Sequence, residues 1–148
     1  HFEQIAMAKV SASALEAKEM GYLKNEDVII ANPHELLYVA KQQALAMLES
    51  GFRSPLDDTF KVVGKAGYAN IMAQVANLFE GNFMSEHDKY CISSLAKVMT
   101  GSLVEENTVV NSKMLLDLEQ KYFVELLGTQ KTQDRIEFML RNSKRLRN

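Results

Sequence analysis

The amino-acid sequence is short of several residue types, and each shortage excludes a class of protein. Its 148 residues include one cysteine, Cys91, and no tryptophan. One cysteine cannot form an internal disulfide or a zinc site built from several thiolates. Two prolines and seven glycines are too few for a proline-rich linker or a collagen-like chain. No apolar stretch approaches the roughly 18 residues that cross a bilayer, so we expect no membrane span.

An excess of either charge is also missing. Seventeen lysines and arginines stand against 19 aspartates and glutamates, which gives a formal net charge of −2. This balance argues against a protein that mainly binds nucleic acid. The motifs G-x-G-x-x-G, G-x-x-x-x-G-K-[ST], H-E-x-x-H and G-x-S-x-G do not occur. The sequence therefore does not indicate a dinucleotide fold, a P-loop, a zinc protease or an α/β-hydrolase.

The sequence does contain a series of signals for the start and end of helices. Residues that favour helix N-caps precede apolar runs of helical period at Ser13, Asn32, Ser85 and Asn111. Glycines that can end helices follow such runs at Gly21, Gly51, Gly81, Gly101 and Gly128. The pattern predicts a mostly α fold, a bundle of five to seven helices with at most two short strands.

The same signals predict element boundaries. The β-branched run Asp27–Ala31 is the best strand candidate, and Phe60–Val63 is the second. We expect a first helix over Phe2–Val10, a helix beginning at about Tyr68 and a last helix beginning at about Thr132. Between them, residues 51–65 are rich in residues that interrupt helices and form the one clear connector.

Glu86-His87-Asp88 is the strongest candidate for acid–base or metal chemistry. Consecutive residues of a helix point about 100° apart, so these three side chains cannot converge on one ion or proton. The helix dipole and N-terminal capping favour acids in a first turn, so a capping role is the simpler interpretation.

The remaining candidates for chemistry are Cys91, His34 and His1. Cys91 is a reactive thiol only if it lies exposed beside positive charge, and its helical spacing from Leu95 favours a small buried hydrophobe. His34 follows Pro33 in a first turn, where a solvated side chain is the simpler interpretation. His1 is terminal.

Positive charge is concentrated in residues 131–148. This segment has two acids and six basic side chains, namely Lys131, Arg135, Arg141, Lys144, Arg145 and Arg147, for a net charge of +4. Such a tail can bind a phosphate-bearing ligand. It can equally be a solvated terminus whose cations complement the dipole of the last helix.

Several segments resemble known enzymes of fatty-acid oxidation. Residues 2–23, with Ser13-Ala14-x-Glu16-Ala17, resemble the late part of a crotonase (enoyl-CoA hydratase/isomerase) domain. The run Glu80-Gly81-x-Phe83-x-Ser85-Glu86-His87-Asp88 and the closing Leu146-Arg147-Asn148, together with Leu115–Glu119, resemble the end of bacterial multifunctional 3-hydroxyacyl-CoA dehydrogenases. The sequence departs from that family at residues 143–146, Ser-Lys-Arg-Leu, where the family pattern is closer to Gly-Lys-Pro-Leu.

The resemblance implies how the chain is organised. Residues 1–51 would be the closing helices of a crotonase-like domain, 52–66 a connector, and 67–148 a helical C-terminal extension. The chain opens within a predicted helix and without methionine, so we expect a fragment of a longer protein. The resemblance and the single cysteine imply that this protein is cytoplasmic. In that family NAD and the catalytic residues are held by other parts of the protein. No catalytic residue therefore transfers to this chain, and we expect no cofactor or metal within it.

Three functions remain open at this point. In the first, the chain is a structural and oligomerising part of an NAD-dependent 3-hydroxyacyl-CoA dehydrogenase, with or without enoyl-CoA hydratase activity. Its partners are then the missing N-terminal domains, a second copy and the acyl-CoA substrate, whose phosphates Lys144, Arg145 and Arg147 would contact. In the second, the chain is a helical protein–protein interaction module without a catalytic role. In the third, it is a small enzyme that uses Glu86, His87 or Cys91.

Overall fold

The chain folds mainly into helices. The computed structural model describes residues 2–54 and 58–148, and the chain divides into two compact units, 1–56 and 57–148. Within the described ranges there are seven α-helices, one 3₁₀ turn and one two-stranded sheet. The predicted mostly α fold is confirmed.

The boundary between the two units lies where the sequence predicted a connector, but the nature of each domain is a further question. The two units divide within the predicted connector, but the identities given to residues 1–51 and 67–148 stay predictions. His1 and residues 55–57 lie outside the described residues, so the interpretation of His1 and of that part of the connector also stays a prediction.

The first unit contains three α-helices and the 3₁₀ turn. They are α1 (Phe2–Ala6), α2 (Ala14–Glu19), the 3₁₀ turn Pro33–Glu35 and α3 (Leu36–Glu49). Both predicted caps are confirmed, because the Ser13 hydroxyl accepts from the Glu16 amide and the Asn32 side chain accepts from the His34 amide. These caps fix where α2 and the 3₁₀ turn begin.

The first helix is shorter than predicted. It ends at Ala6 rather than Val10, and Ala8 adopts a left-handed backbone with φ of +48°. The Lys9 amide donates to the Gln4 carbonyl at 2.8 Å, which closes the helix end. The prediction was wrong because alanine, unlike glycine, gives no sequence signal for a left-handed residue.

The strand predicted at Asp27–Ala31 is absent. These residues have no regular secondary structure, and Val28 is exposed. The Lys24 amide donates to the Asp27 carboxylate at 2.8 Å, which forms a local turn instead. A β-branched run becomes a strand only where a neighbouring strand can pair with it, and the sheet of the described residues lies in the other unit.

The apolar face of α3 is exposed along its length. None of its 14 residues is buried, and Leu37 and Leu48 are 83% and 73% exposed. Among the described residues 2–54, Ala17 is the one buried apolar residue. The predicted apolar stripe of α3 therefore forms, but it is not covered.

The second unit contains four α-helices and the sheet. They are β1 (Phe60–Lys61), α4 (Gly64–Glu80), α5 (Glu86–Met99), β2 (Val109–Val110), α6 (Ser112–Leu127) and α7 (Gln130–Asn142). Helix α5 packs against both α4 and α6, and α6 also contacts α7. The buried residues around α5 include Val75, Ala96 and Thr100. No helix in the described part of the chain is long and apolar enough to cross a membrane.

The two strands are antiparallel neighbours. Phe60 lies opposite Val110, and Lys61 lies opposite Val109. The predicted strand Phe60–Val63 is thus confirmed for its first two residues. Its partner, β2, was not predicted, because two valines are too short a run to show strand alternation.

Helix α4 begins four residues before the predicted start at Tyr68. The Gly64 amide donates to the Thr100 carbonyl at 2.9 Å, and the Lys65 amide donates to the Val104 carbonyl at 2.8 Å. Gly64 has φ of +53°, and a Cβ at this position would lie 2.2 Å from the Val104 carbonyl oxygen. Only glycine fits here, so contacts distant in sequence determine where α4 begins.

Candidate functional site

The start of α5 is held by a reciprocal cap between Ser85 and Asp88. The Asp88 amide donates to the Ser85 hydroxyl at 3.1 Å, and the Ser85 amide donates to the Asp88 carboxylate at 2.9 Å. The predicted N-cap at Ser85 is confirmed, and Asp88 satisfies a backbone amide that would otherwise have no partner.

Arg135 of α7 links this cap to the tail of the chain. Its Nη1 lies 2.8 Å from Asp88 Oδ1, and its Nη2 donates to the Ser85 hydroxyl at 3.4 Å. Its Nε donates to Asn148 Oδ1 at 2.7 Å, and Nη2 also donates to the Asn148 carbonyl at 3.2 Å. The side chains of Arg135 and Asp88 are only 22% and 23% exposed. This partial burial makes the pair less screened than a surface ion pair.

The tail, defined as residues 143–148, folds back along α7. Ser143 ends the helix in a left-handed conformation with φ of +52°, which reverses the chain. The Arg147 guanidinium then donates to the Phe83 carbonyl, and its Nε lies 3.8 Å from Asp88 Oδ2. Asn148 Nδ2 donates to the Lys131 carbonyl at 3.2 Å. We call the group Ser85, Asp88, Arg135, Arg147 and Asn148 the tail clamp.

The pKa of the Asp88 carboxyl is lowered within the tail clamp. Burial by itself would raise this pKa. The hydrogen bonds from the backbone and hydroxyl of Ser85, with the hydrogen bond and charge of Arg135, outweigh burial. Asp88 is therefore ionised at neutral pH and serves as the anion of the clamp.

His87 is buried and points away from the two acids that flank it. Its Nε2 lies 2.9 Å from Thr132 Oγ1, which lies 2.8 Å from Thr129 Oγ1. Burial and the positive charges of Arg135 and Lys131 lower the pKa of His87, so the ring is neutral at pH 7. The imidazole joins α5 to α7 beside the tail clamp.

The three residues Glu86, His87 and Asp88 do not converge, as the helical geometry predicted. Glu86 is exposed, while His87 meets Thr132 and Asp88 meets Arg135. Among the described residues, no group of three or more histidine, cysteine, aspartate or glutamate side chains could hold a metal ion.

Cys91 is half-buried on the same helix. Burial raises the pKa of its thiol, so the thiol is protonated at neutral pH. A nucleophilic cysteine needs the thiolate. The interpretation of Cys91 as a small apolar residue therefore fits its surroundings better than a catalytic one.

The three predicted phosphate-binding residues lie on the tail in different settings. All three side chains are exposed, and Arg147, whose side chain is 66% exposed, also contacts the Phe83 carbonyl and Asp88. Sequence reasoning identified Arg147 and Asp88 but not the role of Arg135. The available signal was that residues 80–88 and 146–148 carried the same family resemblance, although nothing in one sequence says that they touch.

A curated protein is similar to almost the whole chain. The match is 43% identical over 147 residues to the "Probable 3-hydroxyacyl-CoA dehydrogenase" of Bacillus subtilis (strain 168). It covers 99% of this chain and 19% of that protein, so the chain spans about a fifth of the relative's length. No family model matches the chain, and no solved structure matches it.

Proposed function

We propose that the chain is a non-catalytic helical part of a cytoplasmic 3-hydroxyacyl-CoA dehydrogenase of fatty-acid β-oxidation. The observation that carries the proposal is the 43% identity, over 99% of the chain, to a fifth of the Bacillus subtilis relative. The whole protein would oxidise 3-hydroxyacyl-CoA to 3-ketoacyl-CoA with NAD, with or without a crotonase-like part that hydrates 2-enoyl-CoA. NAD would be bound by the part of the protein outside this chain.

The local geometry supports a structural role for residues 58–148. Asp88 is held by the Ser85 amide and Arg135, and His87 is held by Thr132. A general acid or base needs to reach a substrate, but these groups already bind protein atoms. The Cys91 thiol is protonated. The third function, a small independent enzyme, has no support in these contacts.

The exposed face of α3 supports docking onto another part of the longer protein. Its leucines, including Leu37 and Leu48, are mostly exposed although the helix is strongly apolar. Large exposed apolar patches mark interaction surfaces. In this proposal residues 1–51 are the closing helices of a crotonase-like domain, and α3 packs on the remainder of that domain. Residues 67–148 form the extension after the connector, 52–66.

A replacement experiment in the Bacillus subtilis relative tests this role. One variant lacks the segment that matches this chain, and a second carries this chain in its place. We expect the deletion to lose NAD-dependent oxidation of 3-hydroxybutyryl-CoA and to aggregate, because apolar surface is uncovered. The replacement should restore both activity and solubility. Unchanged activity and assembly in the deletion variant would overturn the proposal.

Contact of the tail with CoA phosphates remains part of the proposal. Lys144 and Arg145 are exposed cations, and residues 131–148 carry a net charge of +4. Calorimetric titration of this chain with acetyl-CoA and, separately, with NADH should give saturable binding of the CoA ester alone. Lys144→Glu with Arg145→Glu and Arg147→Glu should abolish it.

The triple variant removes a proposed phosphate contact and also a contact of the tail clamp, because Arg147 lies next to Asp88. Two further variants separate these effects. Lys144→Glu with Arg145→Glu leaves Arg147 on Asp88 and should still weaken binding at least tenfold. Lys113→Glu, at an exposed lysine of α6, is the matched control and should bind as the wild type does. Unaltered affinity in the double and triple variants would remove Lys144, Arg145 and Arg147 from the site.

The alternative function, a helical protein–protein interaction module without a catalytic role, is favoured by the same exposed α3 face. The replacement experiment separates the two. If this chain cannot substitute for the matching segment, yet folds and still exposes α3, the interaction module is the better description.

A further inference from the structure

Helix α7 has an outward face that is apolar in the middle and charged at its edge. Ile136 and Leu140 are exposed on this face, and Leu140, at 80%, is more exposed than any other large apolar side chain described in residues 58–148. The opposite face of α7 carries Thr132 and Arg135, which are occupied by His87 and the tail clamp. The outward face is therefore separate from the contacts that hold the second unit together.

A shallow groove runs along this outward face. It has a volume of about 400 Å³ and is lined by Gln133, Ile136, Glu137, Leu140 and Arg141. Two of these residues are apolar, and Glu137 and Arg141 form a surface ion pair, with Arg141 Nη2 2.6 Å from Glu137 Oε1. The groove thus has one negative and one positive group one helical turn apart. We call this surface the α7 face.

We propose that the α7 face binds the α7 face of a second copy of this chain, with the two helices antiparallel about a twofold axis. Placing the axis midway along the helix between Glu137 and Arg141 sets Glu137 of one copy opposite Arg141 of the other, and Arg141 opposite Glu137. The Leu140 side chains of both copies then meet beside the two ion pairs, and Ile136 of each copy extends the apolar contact beyond them. An isologous interface requires this self-complementarity.

The charges of the α7 face favour a second copy of this chain over a uniformly charged partner. A groove with one acid and one base has no net charge to attract a uniformly acidic or basic partner. It does match a second groove in which the same two charges run in the opposite direction. One helix face is smaller than the roughly 800 Å² per partner of a standard interface, so the dimer is weak and reversible. A dissociation constant on the order of tens of micromolar is expected.

Sedimentation velocity on the 148-residue chain tests the dimer. From about 5 to about 500 µM, the mass should rise from the 16.7 kDa monomer towards twice that value. Leu140→Glu buries a charge at the centre of the interface and should hold the chain as a monomer. Leu103→Glu, at an exposed leucine outside α7, is the matched control and should dimerise as the wild type does.

Charge reversal provides a test that changes in helix stability cannot imitate. Glu137→Arg alone and Arg141→Glu alone each place like charges opposite each other, so each variant should be monomeric. Mixed together, one copy presents two arginines and the other two glutamates, and a heterodimer should form. The heterodimer is detected when a tagged copy of one variant retains the untagged copy of the other on an affinity column.

Three results overturn the proposal. The first is a wild-type chain that stays monomeric across the whole concentration range. The second is a dimer that persists in Leu140→Glu, and the third is a failure of the mixed charge-reversal variants to associate. In the last two cases any association uses another surface, such as α3. Circular dichroism of each variant confirms that the chain is folded.

Discussion

Arg135 of α7 and Asp88 of α5 form an ion pair, with Nη1 2.8 Å from Oδ1, across 47 positions of sequence. Asp88 is at the same time the acid that caps its own helix. The guanidinium of Arg135 also holds Asn148, so one side chain joins a helix start, a helix interior and the tail. Substitutions at Arg135 and Asp88 therefore measure how much these contacts stabilise the second unit.

Replacing Arg135 should destabilise the second unit. Arg135→Ala removes the partner of a half-buried carboxylate and three further hydrogen bonds. We expect a loss of about 2 kcal/mol in the free energy of unfolding, measured by urea titration. Lys113→Ala breaks an exposed ion pair with Asp117 and serves as control, with an expected loss below about 0.5 kcal/mol. Equal effects of the two variants would contradict a central role for Arg135.

Acid should weaken the second unit through Asp88. Its pKa is lowered in the fold, so the folded state favours the ionised form. The resulting stability is present above the unfolded pKa of 3.8 and is lost as pH falls through the lower folded value. Urea titrations from pH 5 to about pH 2.5 should show this loss in the wild type. Asp88→Asn should be less stable than the wild type at pH 5, and its free energy of unfolding should change less with pH. If it changes as steeply as in the wild type, other carboxylates cause the effect.

His87 should give a second pH dependence at a higher window. Its folded pKa is lowered by burial, so the unfolded chain binds the proton more readily. Stability should therefore fall as pH decreases below the unfolded value of 6.5 towards the folded pKa. The measurement is thermal unfolding from pH 7.5 to about pH 5. His87→Gln should flatten the curve, and a slope as steep as that of the wild type in this variant would assign the pH dependence to other groups.

Ser143→Gly should stabilise the tail. Ser143 has φ of +52°, a left-handed conformation that costs a residue with a Cβ roughly 1 kcal/mol and costs glycine little. We expect a gain of about 0.5 kcal/mol in the free energy of unfolding, because glycine also gives the unfolded chain more freedom. Ser143→Ala keeps the Cβ and should show no gain. A stabilised alanine variant would show that the hydroxyl, and not the backbone, causes the cost.

Gly64→Ala should be one of the more damaging small changes in the chain. The added methyl group would lie 2.2 Å from the Val104 carbonyl oxygen, on a residue with φ of +53°. A loss of about 3 kcal/mol is expected in urea titration. Gly51→Ala is the matched control, since Gly51 has φ of +77° but no atom within 4 Å of the added Cβ. It should lose only about 1 kcal/mol, and similar losses at both glycines would contradict the steric argument.

Local signals in the sequence predicted the features that depend on neighbouring residues. The caps at Ser13, Asn32, Ser85 and Asn111 all accept the backbone amides expected of them. A cap needs only a side chain and an amide two or three residues on, so the information is contained in a short segment.

The errors arose where distant residues decide the structure. The run 27–31 has strand composition, but residues 2–54, as described, contain no strand that could pair with it. Helix α4 begins early because the Gly64 amide donates to the Thr100 carbonyl. In the candidate site, the capping role of Asp88 was predicted, but its pairing with Arg135 was not. One sequence contains no signal that brings two residues 47 positions apart into contact.

The fold-back of residues 143–148 has a consequence for synthesis on the ribosome. The start of α5 is made early, but Arg147 and Asn148 are the last of the described residues to emerge from the exit tunnel. Until they do, Asp88 lacks its contact with Arg147, and Arg135 lacks its hydrogen bond to Asn148. Helices α5 and α7 are then connected by the Asp88–Arg135 pair without the contacts of the tail. The second unit therefore acquires its full set of contacts only after those residues have left the ribosome, however quickly its helices form during translation.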